Sequence, residues 1–375
     1  MQPGLTLAAA LSLLLSVLFQ AGCGDSTASF SGSIFGTSYS AAVVLDQSAA
    51  TVNSGLLTRE FDRVDAEVST WSPNSAIARF NRAAAGESVV ISPETAQLIE
   101  LSESIREQTG GAFDHTVGPL VELWNFGSRR IATAADAPSD EAIAAAMEAA
   151  SDGYRVDRSS ERIRLVKLKE GCELDFSAIA KGAAVDRGGA ELTAAGHDRW
   201  LVEIGGEVRA SGQRAGGGPW RIGVQNPTGG PFLAMVPLQT DPALRQSQPV
   251  SAMATSGDYQ NYQIIAGERV SHKIDPRTGR PVTHRMTSAT VVAATCGQAD
   301  AYATACLVMG FDRAIAWAET ESIALLAARV RGDGSLQLGQ TSAMQAIIGP
   351  LPAASTRDDR EPAAAPRAEA AASSD

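Results

Sequence analysis

A strand-to-helix unit near the C-terminal end constrains the fold more than any other part of this 375-residue chain. β-Branched and small residues at 287–294 predict a buried strand, and the Ala-rich run 297–309 predicts the helix that follows it. Asp300 and Thr304 are four residues apart on that helix and therefore project from the same face. Such hard oxygen ligands suit Mg²⁺, although an Asp in the first turn also simply favours the helix dipole.

A tight turn lies just before this unit in the chain. The segment D-P-R-T-G at residues 275–279 contains Pro276, which presets φ, and Gly279, which accepts a positive φ, so the chain is predicted to reverse there. The turn would hold His272 near the end of a strand. Imidazole titrates near neutral pH, so His272 is a candidate general base. The alternative is that His272 makes a hydrogen bond that fixes the turn beside Asp275.

A second stretch, L-D-F-S-A-I-A-K-G at residues 174–182, has the pattern of an anion site. It predicts the end of a strand, then Ser177 as the N-cap of a helix and Lys181 near the start of that helix. The free amides and positive dipole of a helix start attract anions, and Lys181 adds a mobile charge. A phosphate group is the kind of ligand that such a segment binds.

Seven short segments carry a family resemblance, and together they span Gly36 to Gly310, nearly all of the predicted mature chain. Each alone is a weak signal, but in this order they closely resemble the ApbE family, the FAD:protein FMN transferases. The segments are F-G-T-S-Y-S, S-T-W-S-P-N-S-A-I-A-R-F-N, T-G-G-A-F-D-H-T-V-G-P-L, L-D-F-S-A-I-A-K-G, S-G-D-Y-Q-N-Y, S-H-K-I-D-P-R-T-G-R-P-V and A-D-A-Y-A-T-A.

The resemblance implies a substrate, a metal ion and a set of contacts for both. FAD is the implied substrate, and its FMN half is transferred to a hydroxyl group of an acceptor protein. The implied metal is Mg²⁺, held by Asp300, Thr304 and the main-chain carbonyl of Ala178. The residues that the resemblance places against FAD are Phe35, Trp71, Ala112, Phe113, Asp114, Asp175, Lys181 and Ile274.

Three positions within these segments either depart from the family or allow a second interpretation. Phe35 stands where the family usually has Met, so a bulky apolar side chain is kept. Trp71 follows a predicted amphipathic helix, and a core anchor at the helix end is the alternative to a flat wall against the flavin. His115 stands where the family usually has Pro, and we interpret it as structural or solvent-facing rather than catalytic.

Composition excludes one class of partner and indicates a globular protein. The chain has 42 acidic and 31 basic residues, a net charge of −11, and no run of Lys or Arg, which argues against binding to nucleic acid. Its hydrophobic fraction of 44% is normal for a protein with a sizeable core. Beyond Cys23, the cysteines are Cys172, Cys296 and Cys306, and they have no metal-type spacing. Cys296 and Cys306 lie in apolar, Ala-rich surroundings and are predicted to be small buried hydrophobes.

The N-terminal residues predict export. Residues 5–19 are apolar over about the length of a signal-peptide core, and they are too short for a comfortable membrane span. Q-A-G-C at 20–23 resembles a bacterial lipoprotein cleavage site, which implies a signal peptide at 1–22, lipidated Cys23 and a flexible tether to residue 33. The protein would then be anchored in the cell envelope, facing the periplasm. An ordinary secreted protein with a free Cys23 is the alternative.

The order of strands and turns predicts an α+β fold. Short strands joined by brief turns outnumber helices in the second half, which favours largely antiparallel sheets with packed helices. No G-x-G-x-x-G fingerprint is present, so FAD is not expected in a Rossmann arrangement. The resemblance implies an ApbE-like, T-fold-like architecture over residues 34–345. The Ala-, Pro- and Ser-rich residues 346–375 predict a disordered tail.

Three functions remain open from the sequence. The first is Mg²⁺-dependent transfer of FMN from FAD to a Thr or Ser hydroxyl of an exported or membrane redox subunit, with AMP leaving and His272 taking the proton. The second uses water at the same site and is an FAD pyrophosphatase that releases FMN and AMP. The third is a lipoprotein that binds FAD without chemistry. The joint presence of Asp300, Thr304, Lys181 and His272 favours an enzyme.

Overall fold

The structure, a computed structural model, describes residues 25–45, 52–53, 55–124, 137–238, 251–257, 262–265, 268–271 and 273–351. The predicted signal peptide, Cys23 and His272 lie outside these residues, and so does the chain from residue 352 onward. Among the described residues, no helix is long and apolar enough to cross a membrane. Cys296 and Cys306, predicted to be small buried hydrophobes, are buried and unpaired, and so is Cys172.

The fold is built from short strands and mostly short helices. The strands are β1 (Ser26–Ile34), β2 (Thr37–Leu45), β3 (Ser88–Val90), β4 (Tyr154–Asp157), β5 (Arg164–Lys167), β6 (Trp200–Ile204), β7 (Glu207–Ser211), β8 (Trp220–Val224), β9 (Ala234–Leu238), β10 (Ala252–Gly257), β11 (Tyr262–Ile265), β12 (Glu268–Ser271), β13 (Ile274–Asp275), β14 (Arg280–Pro281), β15 (Met286–Ala293), β16 (Ala324–Val330) and β17 (Leu336–Gln340). The helices are α1 (Gly55–Val68), α2 (Ala76–Arg82), α3 (Pro93–Gln108), α4 (Gly118–Trp124), α5 (Asp140–Ala150), α6 (Ala180–Ala194), α7 (Cys296–Met309), α8 (Phe311–Thr320) and α9 (Ser342–Ile348).

An eight-stranded sheet forms the centre of the protein. Its order is β1-β2-β6-β7-β10-β15-β16-β17, and β3, β4 and β5 form a smaller sheet. Three two-stranded ribbons complete the pairing, β8 with β9, β11 with β12, and β13 with β14. Every pair among the described strands is antiparallel, so the prediction of an α+β fold without a Rossmann arrangement is confirmed.

The large sheet is buried on both faces. Because side chains alternate along a strand, Val43 and Val291 point into the main core while Val44 and Val292 point into a second core. Helices α1, α2, α3, α6, α7 and α8 also contribute to the main core, and β8, β9 and α9 cover the second. A small third cluster joins Leu120 and Trp124 of α4 to α5 and β13. The central strands therefore read as nearly continuous apolar runs.

Two predicted boundaries are wrong. The predicted flexible tether ends in β1, which pairs residue by residue with β2 through a two-residue turn. Its Ser- and Gly-rich composition is typical of a linker, but Phe30 and Ile34 pack against the main core and stabilise the strand. The predicted end of the domain at residue 345 falls inside α9, because Met344 anchors that helix in the second core.

Two local predictions are also wrong. The strand end predicted in the segment 174–182 is absent, because residues 172–176 have no regular secondary structure. Helix α6 begins at Ala180 rather than at Ser177, because the Ser177 N–H donates to the Asp175 carboxylate and forms a turn there.

Helices α6 and α7 touch through their backbones. A Cβ atom added to Gly182 of α6 would lie 2.4 Å from the carbonyl oxygen of Cys296 at the start of α7. A glycine at this position lets the two helix starts approach more closely than any side chain would permit. The contact matters for function because both helices carry predicted site residues.

This contact generates a stability test. Ala is the better helix former, but in Gly182→Ala the new methyl group collides with backbone that cannot rotate away. We expect the free energy of unfolding, measured by urea denaturation, to fall by about 1–3 kcal/mol. Gly332→Ala is the matched control, because an added Cβ there meets nothing within 4 Å. Equal stability of the two variants would contradict the close contact.

Candidate active site

The start of α7 is held by hydrogen bonds from two directions. Thr295 is the N-cap, and its hydroxyl accepts the Gln298 N–H. The Asp186 carboxylate of α6 accepts the N–H groups of Cys296 and Gly297, each at 2.9 Å. The first amides of α7 are therefore satisfied by its neighbour, which fixes the direction in which the helix projects its side chains.

Three charged groups meet between α6, α7 and β7. Lys181 Nζ lies 3.2 Å from Glu207 Oε1 and 3.7 Å from Asp300 Oδ2. The carboxyl side chains of Glu207 and Asp300 are only 4% and 3% exposed, whereas Lys181 is 27% exposed. The ammonium group thus lies between two buried carboxylates and the surface. The structure brings the predicted residues Lys181 and Asp300 together and adds Glu207, which the sequence did not predict.

The charge states of this cluster follow from burial and proximity. Burial alone would lower the pKa of Lys181, but Asp300 and Glu207 outweigh it and raise that pKa, so the ammonium is charged. Burial raises the pKa of Glu207, and Lys181 offsets only part of this effect. Glu207 Oε2 is buried without a hydrogen-bond partner among the described residues. A buried carboxylate oxygen in this state indicates a functional site.

Hydroxyl groups and the start of α6 lie close to Asp300 and its helix. Thr304 Oγ1 lies 3.0 Å from Ser256 Oγ of β10, and Asp300 Oδ2 accepts the Gly182 N–H at 3.2 Å. Ala178 lies in the turn before α6, four positions before Gly182, so its carbonyl belongs to the same helix end. Of the predicted metal ligands of α7, Asp300 therefore contacts the start of α6, and Thr304 lies one helical turn further along, against β10.

These residues fit a magnesium ion by their chemistry. Within the described part of the chain, no group of three or more His, Cys, Asp and Glu is arranged to hold a metal. A site here would combine the Asp300 carboxylate with the Thr304 hydroxyl and the Ala178 carbonyl. Mg²⁺ takes such hard oxygen donors and keeps water or phosphate oxygens in its other positions. The buried Asp300 carboxylate already faces a cation, the ammonium of Lys181.

Trp71 lies on the surface and is not a core anchor. Its side chain is 81% exposed in the loop between α1 and α2. Helix α2, which follows this loop, is tied to residue 174 by Asn81, whose side-chain amide donates to the Leu174 carbonyl and accepts the Leu174 N–H, both at 2.9 Å. The exposure of Trp71 excludes the alternative of a core anchor, and its ring is available for stacking on a flat ligand.

The loop at residues 112–116 presents its backbone rather than its side chains. Ala112 and Phe113 are buried, and Asp114 Oδ1 accepts the N–H and hydroxyl of Thr116 at 2.8 and 2.7 Å. The His115 carbonyl accepts the Asp175 N–H at 2.8 Å. The loop therefore lies beside Asp175, and Asn81 ties the neighbouring Leu174 to the helix that follows Trp71.

A strained hairpin turn brings Phe35 toward the charged cluster. Phe35 and Gly36 have φ of 52° and 72°, the left-handed pair of a two-residue turn between β1 and β2. An aromatic residue rarely adopts this conformation, and such strain is common at functional sites. Thr37, at the end of this turn, lies against Gly205 of the β6–β7 turn. Glu207 follows that turn, so Phe35 and the cluster lie at the same edge of the sheet.

Ile274 and His272 are the last two predicted positions, and of these only Ile274 lies in the described part of the chain. Ile274 is buried in the third cluster with Leu120, Trp124 and Ile143, so its side chain packs against protein. The predicted turn at 275–279 is confirmed, since the Asp275 carbonyl accepts the Thr278 and Gly279 N–H groups. His272 lies outside the described residues, and its role stays a prediction.

Three residues that organise the site were not predicted from the sequence. They are Asn81, Asp186 and Glu207. Glu207 had a usable signal, since its carboxylate directly follows a Gly-Gly turn and opens a strand. Asp186 and Asn81 carried none, because an Asp inside a helix and an Asn near a helix end are ordinary on a surface. Their contacts lie 110 and 93 residues away along the chain.

The chain is similar in sequence to known proteins over most of its length. Residues 35–327 match the ApbE family. The FAD:protein FMN transferase of Vibrio cholerae serotype O1 is 35% identical over 338 residues, which cover 88% of this chain and 97% of that protein. The FAD:protein FMN transferase of Klebsiella pneumoniae is 32% identical over 307 residues, covering 81% and 84%.

Solved structures are similar as well. The crystal structure of the Pseudomonas stutzeri flavinyl transferase ApbE in its apo form aligns with a TM-score of 0.76 and 30% identity. That alignment covers 87% of this chain and 98% of the other. The flavin transferase ApbE from Vibrio cholerae aligns with a TM-score of 0.73 and 31% identity, covering 86% and 99%.

The contacts of Asp186 predict a large effect on stability. In Asp186→Ala, the N–H groups of Cys296 and Gly297 lose their acceptor, and Arg209 loses a partner at 2.7 Å. We expect the free energy of unfolding to fall by about 2–4 kcal/mol in urea denaturation. Asp312→Ala, which removes an exposed carboxylate from the first turn of α8, should cost less than about 1 kcal/mol. A similar loss in both variants would refute the capping role.

The buried imidazole of His115 predicts a pH dependence of stability. Burial lowers the pKa of His115 below its ordinary 6.5, an effect that Asp114 and Glu103 only partly offset. The unfolded chain then binds a proton near pH 6.5 that the folded protein refuses until a lower pH. Stability contributed by His115 is therefore present above pH 6.5 and lost as pH falls below it, by about 1.4 kcal/mol per pH unit.

Urea denaturation of His115→Gln between about pH 5 and 7.5 checks this dependence. In the variant, the free energy of unfolding should no longer show the fall below pH 6.5 that His115 causes in the wild type. His197→Gln replaces a half-buried histidine and should keep the slope. The same pH profile for wild type and His115→Gln would show that His115 is not held neutral.

Proposed function

The chain belongs to the ApbE family, and from this premise we propose that it transfers the FMN moiety of FAD to a Thr or Ser hydroxyl of an acceptor protein. The reaction is proposed to depend on Mg²⁺ and to release AMP. The observation that carries the proposal is the buried cluster of Lys181, Glu207 and Asp300 beside Thr304, at the meeting point of two helix starts. The helix starts and the Lys181 ammonium suit an anionic diphosphate, and the Asp300 carboxylate suits the cation that would accompany it.

The reaction is a displacement at phosphorus. The acceptor oxygen bonds to the phosphorus of the FMN half, the bond between that phosphorus and the bridging oxygen breaks, and AMP leaves with the bridging oxygen. The acceptor hydroxyl loses its proton in the same process. Such chemistry depends on positioning and charge neutralisation more than on covalent help from the protein.

The residues at the two helix starts have separate tasks. Lys181 supplies a positive charge that reaches the surface, and the start of α6 supplies its dipole. Asp300, Thr304 and the carbonyl of Ala178 would hold Mg²⁺. When bound, that ion would neutralise the charge that develops on the diphosphate oxygens. His272 is the proposed base for the acceptor hydroxyl, a role that rests on the sequence.

The flavin end of FAD would lie along the segments that Leu174 and Asp175 join. The exposed ring of Trp71 offers a stacking surface, and the backbone of 112–114 offers hydrogen-bonding groups beside Asp175. Phe35 would contact the ring system from the hairpin turn. The buried side chain of Ile274 leaves it a supporting role behind these contacts.

The proposed setting is the bacterial cell envelope. The proposal places the mature protein outside the cytoplasm, anchored through a lipidated Cys23, with a subunit of a membrane redox complex as the acceptor. Support comes from the apolar residues 5–19 and the Q-A-G-C sequence that ends at Cys23. Because β1 begins at Ser26, only a few residues would separate the lipid from the folded domain.

Incubation of the purified protein with FAD, Mg²⁺ and a candidate acceptor distinguishes the three functions. Flavin fluorescence on the denatured acceptor supports transfer. Free FMN and AMP without labelled acceptor would instead establish a pyrophosphatase. Unchanged FAD bound to the protein would establish a binding protein without chemistry.

Asp300→Ala tests the proposed metal site. The variant should lose transfer by about a hundredfold or more, since a site without its carboxylate no longer holds the ion. FAD binding by the wild type should weaken when Mg²⁺ is chelated, whereas binding by Asp300→Ala should not respond to chelation. Asp312→Ala, on the exposed face of α8, should behave as wild type in both measurements. Full transfer by Asp300→Ala in chelator would remove the metal assignment.

A further inference from the structure

A buried histidine lies behind the loop that the proposed function places along the flavin. His115 has no exposed surface, and its ring packs tilted on Phe176 at 5.5 Å and edge-on to Tyr154 at 5.7 Å. Its Nε2 atom lies 2.7 Å from the Tyr154 hydroxyl, which donates to Glu103 Oε1 at 2.5 Å. Arg106 donates to the other oxygen of Glu103 at 2.8 Å.

The direction of these hydrogen bonds fixes the tautomer of His115. The hydrogen bonds from Tyr154 and Arg106 outweigh burial and lower the pKa of Glu103, so it is a carboxylate that can only accept. The single Tyr154 proton is therefore used toward Glu103. His115 must then donate from Nε2, which leaves Nδ1 without its proton. Nδ1 is buried and has no hydrogen-bond partner in the described part of the chain.

The backbone of His115 joins two segments of the proposed flavin site. Its carbonyl accepts the Asp175 N–H at 2.8 Å, and Asp175 follows the Leu174 residue that Asn81 holds on both sides. The preceding residues 112–114 are the ones whose backbone is proposed to contact FAD. A displacement of the His115 ring would therefore move both segments together.

Charged side chains and a cavity lie beside the imidazole of His115. The charged residues that face it are Glu103 and Arg106 from α3 and Asp114 from its own loop. A cavity of about 160 Å³ lies alongside, lined by Glu103, Asp114 and Tyr154 among others. The outer end of the hydrogen-bond chain thus reaches this cavity, while the imidazole itself remains enclosed.

We propose that His115 is a positioning residue for FAD. In its neutral form, protonated at Nε2, it holds the 112–114 backbone and Asp175 in the fixed relation that flavin binding requires. This inference rests on the proposed function for the identity of the ligand. A Pro at this position would restrict the backbone directly through its ring. Here the hydrogen-bonded side chain of His115 fixes the backbone instead. The Tyr154–Glu103 pair is the part of the protein that enables a histidine to do so.

The test separates positioning of the substrate from the chemistry. Tyr154→Phe keeps the ring packing and removes only the hydroxyl, and His115→Leu keeps the bulk and removes the donor. Both variants should bind FAD about tenfold more weakly, with the maximal rate of transfer unchanged within about twofold. His115→Gln, which can still donate toward Tyr154, should restore FAD affinity to within about threefold of wild type. His197→Gln is the matched control and should bind FAD as wild type does.

A spectroscopic measurement tests the same claim without a variant. Long-range ¹H–¹⁵N spectra of the wild-type protein at neutral pH should show His115 protonated at Nε2 alone. Protonation at Nδ1, or a charged imidazolium, would overturn the proposal. So would wild-type FAD affinity in both Tyr154→Phe and His115→Leu, or a fall in maximal rate as large as the fall in affinity.

These outcomes are distinct from failure of the proposed function. If the wild type binds FAD but transfers nothing, the transferase proposal fails, and the affinity measurements still decide the role of His115. If the wild type transfers FMN and the His115 variants bind FAD normally, the positioning role alone fails. Thermal unfolding of each variant shows whether the protein remains folded when affinity is measured.

Discussion

Direct contact between the first turns of α6 and α7 positions the charged residues of the site. Each helix satisfies backbone amides of the other: Asp186 of α6 accepts from Cys296 and Gly297, and Asp300 of α7 accepts from Gly182. Helices can approach this closely only where one of them has no side chain, which is the place of Gly182. Two positive helix ends are thereby brought to one corner of the sheet, with Lys181 beside them.

The same corner contains charges that a purely structural core would avoid. Glu207 and Asp300 are almost fully buried, and Glu207 retains an oxygen without a partner among the described residues. Replacing such buried ion pairs by apolar residues is often neutral or stabilising, so their presence needs another reason. The proposed binding of a doubly charged diphosphate is such a reason. A preorganised set of charges needs little rearrangement when the charge on the substrate changes during the reaction.

Much of this architecture could be predicted from local sequence. The strand and Ala-rich helix around Asp300 form as their patterns indicate, and so does the turn at 275–279, because their signals are short-range. What failed depended on distant partners. The Ser- and Gly-rich start of β1 is stabilised by pairing with β2, and the network of His115, Tyr154 and Glu103 joins three elements that no spacing rule connects. The family resemblance predicted Lys181 and Asp300, which the structure places 3.7 Å apart, but Glu207 and Asp186 emerged only from the fold.

A crystal structure of the protein with FAD and Mn²⁺, which replaces Mg²⁺ and gives an anomalous signal, would show directly whether these helix starts hold a metal and a diphosphate. We expect a single strong peak near the Asp300 carboxylate and the Thr304 hydroxyl, at oxygen distances of about 2.1 Å, with the FAD diphosphate beside it and Lys181. A diphosphate bound away from the start of α6, with no cation between Asp300 and Thr304, would contradict this expectation.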